Sequence, residues 1–316
     1  MPEDEASPTP PAEDPAQPPP VETPAGPPAD AKPYRKRWFH AQDGMRLFYR
    51  EFGDPLLPGL PLLCLPGLTR NARDFAGLAR REMHRRRVIC PDYRGRGRSS
   101  QDPDWQNYCP PVLLRDIGHL LAAANLGRVV VCGTSLGGLL AMGLAVTMPA
   151  SLAGVILNDI GPKLEPDGLA RIRDYVGRPA EVASWNEAVA FAKKVYGEEG
   201  RRSERDWLAV ARGTFHEQED GRLVLDYDPA IAKSLGGPMP DLMALYRALR
   251  PVPVLALRGA ASSVLSQETF DRMADEKPDL ERVTVPEVGH TPTLMEPPAV
   301  EAIDDFLTRL DAGSDP

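Results

Sequence analysis

No run of about 18 apolar residues occurs in the chain, so no membrane-spanning helix is expected. No apolar segment follows a basic start, as a secretory leader requires, and a soluble cytoplasmic protein is the expectation. Cysteine is scarce: Cys64, Cys90, Cys109 and Cys132 form no C-x-x-C pair, and only five histidines accompany them. That argues against a zinc site and for buried, reduced thiols. The basic clusters Arg35–Arg37 and Arg80–Arg87 are short and attached to no nucleic-acid-binding motif, so they read as solvated surface. No nucleic-acid or membrane partner is expected, and no metal or organic cofactor is implied.

The formal charge of −8 says little about a substrate once it is located. Residues 1–30 hold seven acids and no Lys or Arg, which leaves the rest of the chain near −1. Residues 1–33 also carry twelve of the 35 prolines, with Met1 and Val21 as their only large apolar residues. Such a segment buries too little surface to offset the entropy of ordering, and 1–33 is read as a disordered tail.

From Tyr34 the pattern changes. Two alternating strands flank the Asp43-Gly44 turn signal, and short continuous apolar runs then alternate with helical spacing. The runs are Leu60–Gly67, Arg87–Gly97, the RVVVCGTS stretch, Leu152–Pro162, Pro251–Ala260 and Glu281–His290. Helical stretches lie at Asn71–Met83, Val112–Leu126, immediately after Ser135, near Gln267–Glu276 and at Pro297–Asp311. Strand–helix alternation predicts an α/β fold, a mainly parallel sheet with helices on both faces. The rhythm stops between about Lys163 and Leu245, where amphipathic pieces occur without a strong buried strand. This gives a core over 34–162 and 246–316, interrupted after the sixth strand by a helical cap over 163–245.

The sharpest signal is VVVCGTSLGG, in which Gly133 to Gly137 match G-x-S-x-G between an apolar strand and an apolar helix. A strand that turns into a helix within so few residues holds Ser135 in strained backbone angles and lifts its hydroxyl above the sheet edge, beside a helix N-terminus. A glycine-rich junction with an incidental serine is the alternative. Three further stretches follow in order: LCLPGLTRNARDF after the third strand, PDYRGRGRS after the fourth and VGHTPTLMEP after the eighth. Together with the elbow they resemble the α/β-hydrolase superfamily, over roughly Arg37 to Leu310.

The resemblance implies an eight-stranded α/β-hydrolase fold and a capped serine hydrolase. It assigns the nucleophile to Ser135, the general base to His290, and the oxyanion-binding amides to Leu68 and Leu136. Where the family often has a loop-bracing His, this chain has Pro66. Asp92, in the stretch resembling D-x-R-G-x-G-x-S, is read as structural, holding Arg94 or nearby amides. The acid is the break in the pattern. Relatives usually carry it shortly after the seventh strand, where this chain reads LRGAASSVLSQETF with Ser263 at the expected place. Three readings stay open: Asp159 at the end of the sixth strand, as in some superfamily branches; Glu268 or a water completing a Ser–His dyad; or weak or lost activity. The expected substrate is a carboxylic ester or lactone of a small to medium, largely apolar molecule. Carbon–carbon bond hydrolysis and a non-catalytic ligand-binding protein of the same fold are the alternatives. Cap residues such as Tyr175, Trp185, Phe191, Trp207 and Phe215 suit either a pocket wall or the cap's own core. The oligomeric state is left open.

Overall fold

The computed structural model describes residues 34–178, 180–197, 203–236 and 241–313, so the tail expected over 1–33 lies outside the described residues. Strands β1 (Arg35–His40) and β2 (Arg46–Phe52) form the expected antiparallel hairpin. Its turn passes through Gly44 at φ +83°, a left-handed conformation that favours glycine. Then come β3 (Gly59–Leu65), a 3₁₀ turn (Ala72–Phe75), α1 (Ala76–Glu82), β4 (Arg86–Asp92), α2 (Pro110–Ala123), β5 (Val129–Thr134), α3 (Leu136–Thr147) and β6 (Leu152–Asn158). The core resumes with β10 (Val254–Gly259), α8 (Gln267–Glu276), β11 (Glu281–Val285) and α9 (Pro297–Ala312).

Eight of these strands make one sheet in the order β1-β2-β4-β3-β5-β6-β10-β11. From β4 to β11 every pairing is parallel, and only β2 runs against its neighbours. The continuous apolar runs are explained by burial on both faces. Alternate residues Leu63, Leu65, Ile89 and Val131 pack in one core cluster, while Leu62, Cys64, Cys90 and Cys132 pack in the other. Cys64, Cys90 and Cys132 are fully buried and unbridged, as expected, and burial pushes the thiols of Cys64 and Cys132 up, away from the reactive thiolate. Among the described residues no helix is long and apolar enough to cross a membrane.

Between β6 and β10 the chain forms α4 (Pro166–Tyr175), β7 (Glu181–Val182), α5 (Trp185–Tyr196), α6 (Glu204–Thr214), β8 (Phe215–Glu217), β9 (Leu223–Leu225), a 3₁₀ segment (Pro229–Gly236) and α7 (Leu242–Arg247). Helix starts follow local capping: Ser184 accepts from the Glu187 amide, and Ser203 and Asp206 form a reciprocal capping box. Amphipathic pieces expected in this stretch are helices here. The additional three-stranded antiparallel sheet β7-β9-β8 is not legible in the sequence, because strands of two or three residues are too short to show alternation. Trp207 and Phe215 are buried against Trp185 and Phe191, so these aromatics form the insertion's own core.

The insertion is fastened to the loops that leave the C-terminal ends of β3 and β4. Arg70 donates to the Thr214 hydroxyl (2.6 Å), and Asn71 to the Gly213 carbonyl and the Asp226 carboxylate (both 2.9 Å). Arg73 is ion-paired with Asp226, and Tyr108 donates to Asp228 (2.6 Å).

The loop after β4 is held by hydrogen bonds and ion pairs. Asp92 accepts from the amides of Ala72 (2.8 Å) and Arg98 (2.9 Å). The expected amide role is therefore present, but Arg94 turns instead to Asp116, Asp102 and Asp43. Burial raises the Asp92 carboxyl to about 6. A group raised in the folded state gives its full stability below the unfolded value and loses it as pH climbs toward the folded one. Between about pH 4 and 6 the melting temperature of the native chain is expected to fall relative to that of Asp92→Asn. Parallel curves in a thermal melt series would refute this.

Candidate active site

Register in the sheet brings the site together before any side chain is considered. Leu65 on β3 is level with Gly133 on β5, Thr134 on β5 with Asn158 on β6, and Asn158 with Leu257 on β10. The residues just past these strand ends, in the order of the sheet, are the Pro66–Arg70 loop, Ser135, Asp159 and the Gly259–Ser262 turn. The open C-terminal edge of such a sheet is where α/β folds bind ligands.

Ser135 has φ 51° and ψ −113°, a strained conformation for a residue with a side chain. Its amide donates to the Asn158 carbonyl (3.1 Å), and its carbonyl accepts from the amides of Gly138 and Leu139 at the start of α3. The flanking glycines are required by close approach. A Cβ on Gly133 would lie 2.4 Å from the Gly137 backbone, and one on Gly137 would lie 2.0 Å from the Leu65 carbonyl oxygen. Neither neighbour is a flexible side chain. Gly137→Ala is therefore expected to destabilise the fold by about 3 kcal/mol, read as a lowered urea midpoint at unchanged slope.

Asp159, at φ 55°, is completely buried, so its carboxylate needs donors on every side. The Gly259 amide donates to Oδ1 (2.8 Å), and the Ser262 hydroxyl donates to Oδ2 (2.6 Å). His290 Nδ1 lies 2.6 Å from the same Oδ2, and His290 Nε2 lies 3.1 Å from Ser135 Oγ. The imidazole is half-buried between a hydroxyl and a dry carboxylate, with both ring nitrogens engaged. In the tautomer carrying the proton on Nδ1, Nε2 is the acceptor that faces the serine hydroxyl.

Of the residues singled out from sequence, Ser135, His290 and Asp159 are thus in one chain of contacts. Glu268 does not occupy the acid's place: it is exposed in the first turn of α8. Its reading is corrected because a helix N-terminus holds it in solvent. Leu136 begins α3 directly after Ser135. Leu68 lies in the loop after β3, where a Cβ on Gly67 would approach the Ser135 Cβ to 3.9 Å. His216 contacts Asp226 (3.1 Å) and His119 accepts from the Gln42 amide (3.3 Å).

Two residues were missed. Ser262 sits one position before Ser263, and nothing in a serine pair tells which hydroxyl meets a carboxylate from another strand. Asn158 is buried, and its side-chain amide donates to Thr134 Oγ1 and to the Pro292 carbonyl (both 3.0 Å), joining the nucleophile turn to the histidine loop. Its position directly before Asp159, in the VILNDIGP stretch, was the available signal.

Comparison with known proteins shows the family. The chain is 36% identical over 278 residues to the 3-hydroxybutyrate-oligomer hydrolase of Cupriavidus necator, covering 83% of this chain and 93% of that protein. It is 26% identical over 249 residues to the 2-(acetamidomethylene)succinate hydrolase of Mesorhizobium japonicum, covering 78% and 87%. Among solved structures, an α/β hydrolase from Novosphingobium aromaticivorans superposes with a TM-score of 0.82 at 42% identity, covering 87% of this chain and 98% of that one. Residues 62–303 match the pattern of one family throughout, and the chain belongs to it: the α/β hydrolase family.

Proposed function

We propose that the protein is a serine ester hydrolase acting on carboxylic esters of short hydroxy acids. The reading is carried by the Ser135–His290–Asp159 contacts, with Oγ to Nε2 at 3.1 Å and Nδ1 to Oδ2 at 2.6 Å. In this mechanism His290 Nε2 takes the Ser135 proton as Oγ attacks the ester carbonyl. The Leu68 and Leu136 amides receive the oxyanion. The C–O bond to the alcohol then breaks, and the leaving oxygen takes the proton from His290. Water, deprotonated by the same imidazole, releases the acid from Ser135. Each oxyanion donor is worth about 3 kcal/mol in such reactions. The insertion over 163–245, fastened to loops beside the site, acts as the cap that selects the substrate.

The hydroxy-acid class is supported by the 36% identity to a 3-hydroxybutyrate-oligomer hydrolase. With Asp159 beside the imidazole, Ser263 is no longer a reason to favour a non-catalytic binding protein. The test is turnover of the 3-hydroxybutyrate dimer and of p-nitrophenyl esters, together with labelling of Ser135 by a fluorophosphonate. A folded protein that neither turns over nor labels would end the reading.

A further inference from the structure

Three consecutive carbonyls of the loop after β3 are each held by a donor. Tyr93 donates its hydroxyl to the Pro66 carbonyl (3.2 Å), and the Arg70 amide closes a turn onto the Gly67 carbonyl (3.2 Å). Arg96 Nε donates to the Leu68 carbonyl (2.9 Å). In a trans peptide C=O and N–H point in opposite directions, so fixing the Gly67 carbonyl toward Arg70 fixes the Leu68 N–H on the other side. The bonds at Pro66 and Leu68 clamp the two neighbouring peptides. This bracing comes from the β4 loop and stands where Pro66 leaves no side-chain brace of its own.

Arg96 is unusual among these donors. The residue is 1% exposed, and its guanidinium lies over the rings of Tyr93 (5.8 Å) and Tyr108 (5.5 Å) and gives Nη1 to the Arg94 carbonyl (2.8 Å). Its Nη2 is buried with no hydrogen-bond partner. Arg94, two residues earlier, is ion-paired with three carboxylates, whereas among the described residues none is within ion-pair distance of Arg96. Burial lowers the Arg96 pKa to about 10, against a smaller opposing effect of Tyr93, Tyr108 and the Asp228 carboxylate that Tyr108 holds, and it stays charged at neutral pH. Preorganised charge of this kind is of use where negative charge develops during a reaction.

Resting on the serine-hydrolase reading above, we infer that Arg96 is a positioning residue for the oxyanion site: it fixes the Leu68 carbonyl and holds a buried positive charge behind it with no carboxylate in direct contact. A role in transition-state stabilisation alone separates kcat from KM. With a p-nitrophenyl ester, Arg96→Gln is expected to lower kcat by about 30-fold, with KM changed less than twofold. Affinity for a trifluoromethyl ketone, which forms the tetrahedral adduct on Ser135, should fall by a similar factor. Arg96→Lys keeps the charge without the planar fork and should lose about fivefold in kcat, and it serves as the readout if the Gln variant does not fold. A folded Gln or Lys variant with native kcat and native ketone affinity would overturn the inference. Failure of the parent reading looks different, because the native protein itself would then neither turn over the ester nor bind the ketone.

Discussion

Ser135→Ala is expected to lower ester turnover by about 10⁶-fold and to abolish fluorophosphonate labelling while leaving the melting temperature nearly unchanged. The size follows from removing the only atom that attacks the carbonyl in the proposed mechanism. What survives is binding and the oxyanion amides acting on water, since the backbone around residue 135 is held by its own hydrogen bonds to Asn158, Gly138 and Leu139. Alanine keeps the Cβ that the turn already accommodates, so little strain is added. The check is kcat on a p-nitrophenyl ester, with mass-spectrometric detection of the adduct. Residual turnover within tenfold of native would move the nucleophile elsewhere.

The second large effect is expected at the acid. Asp159→Asn should reduce kcat by about 10⁴-fold, or about 5 kcal/mol of transition-state stabilisation, with KM little changed. The carboxylate fixes the proton on His290 Nδ1, so that Nε2 is the acceptor facing Ser135, and stabilises the imidazolium that forms when Ser135 loses its proton. An Asn amide donates as well as accepts, and its NH₂ turned toward Nδ1 would favour the opposite tautomer. Two contacts would remain partly served, since Gly259 and Ser262 donate and the Asn carbonyl oxygen accepts. A folded variant with crippled turnover is therefore the expected result, and Glu268→Gln should be close to native. Equal rates for Asp159→Asn and the native protein would remove Asp159 from the mechanism.

Much of this was local enough to read along the chain. The elbow is a pattern of five neighbours, Gly133 to Gly137, that can be read along the chain, although the contact that requires glycine at 137 is with Leu65 on another strand. The parallel sheet was legible because its strands are buried on both faces, which writes an uninterrupted apolar run at each of them. The place of His290, late in the chain and just past a strand, came from the same alternation. The acid was different. Asp159, Glu268 and a vacated Ser263 were each open in one dimension, because an acid reaches the imidazole from whichever neighbouring strand end the register brings level. Only the pairing of β6 between β5 and β10 decided it, setting Asp159 beside Ser135 and under the Gly259 and Ser262 donors.

The same division holds for Arg96 and for the short strands of the insertion. A lone arginine in a glycine-rich loop looks like any solvated cation until packing buries it against Tyr93 and Tyr108. Residue order by itself determined which side chains can do chemistry and where the long strands and helices of the core form, since those depend on near neighbours. The tertiary structure decided which carboxylate lies against the imidazole and which cation is buried without a carboxylate in contact, because both depend on groups that are distant along the chain and adjacent only after folding.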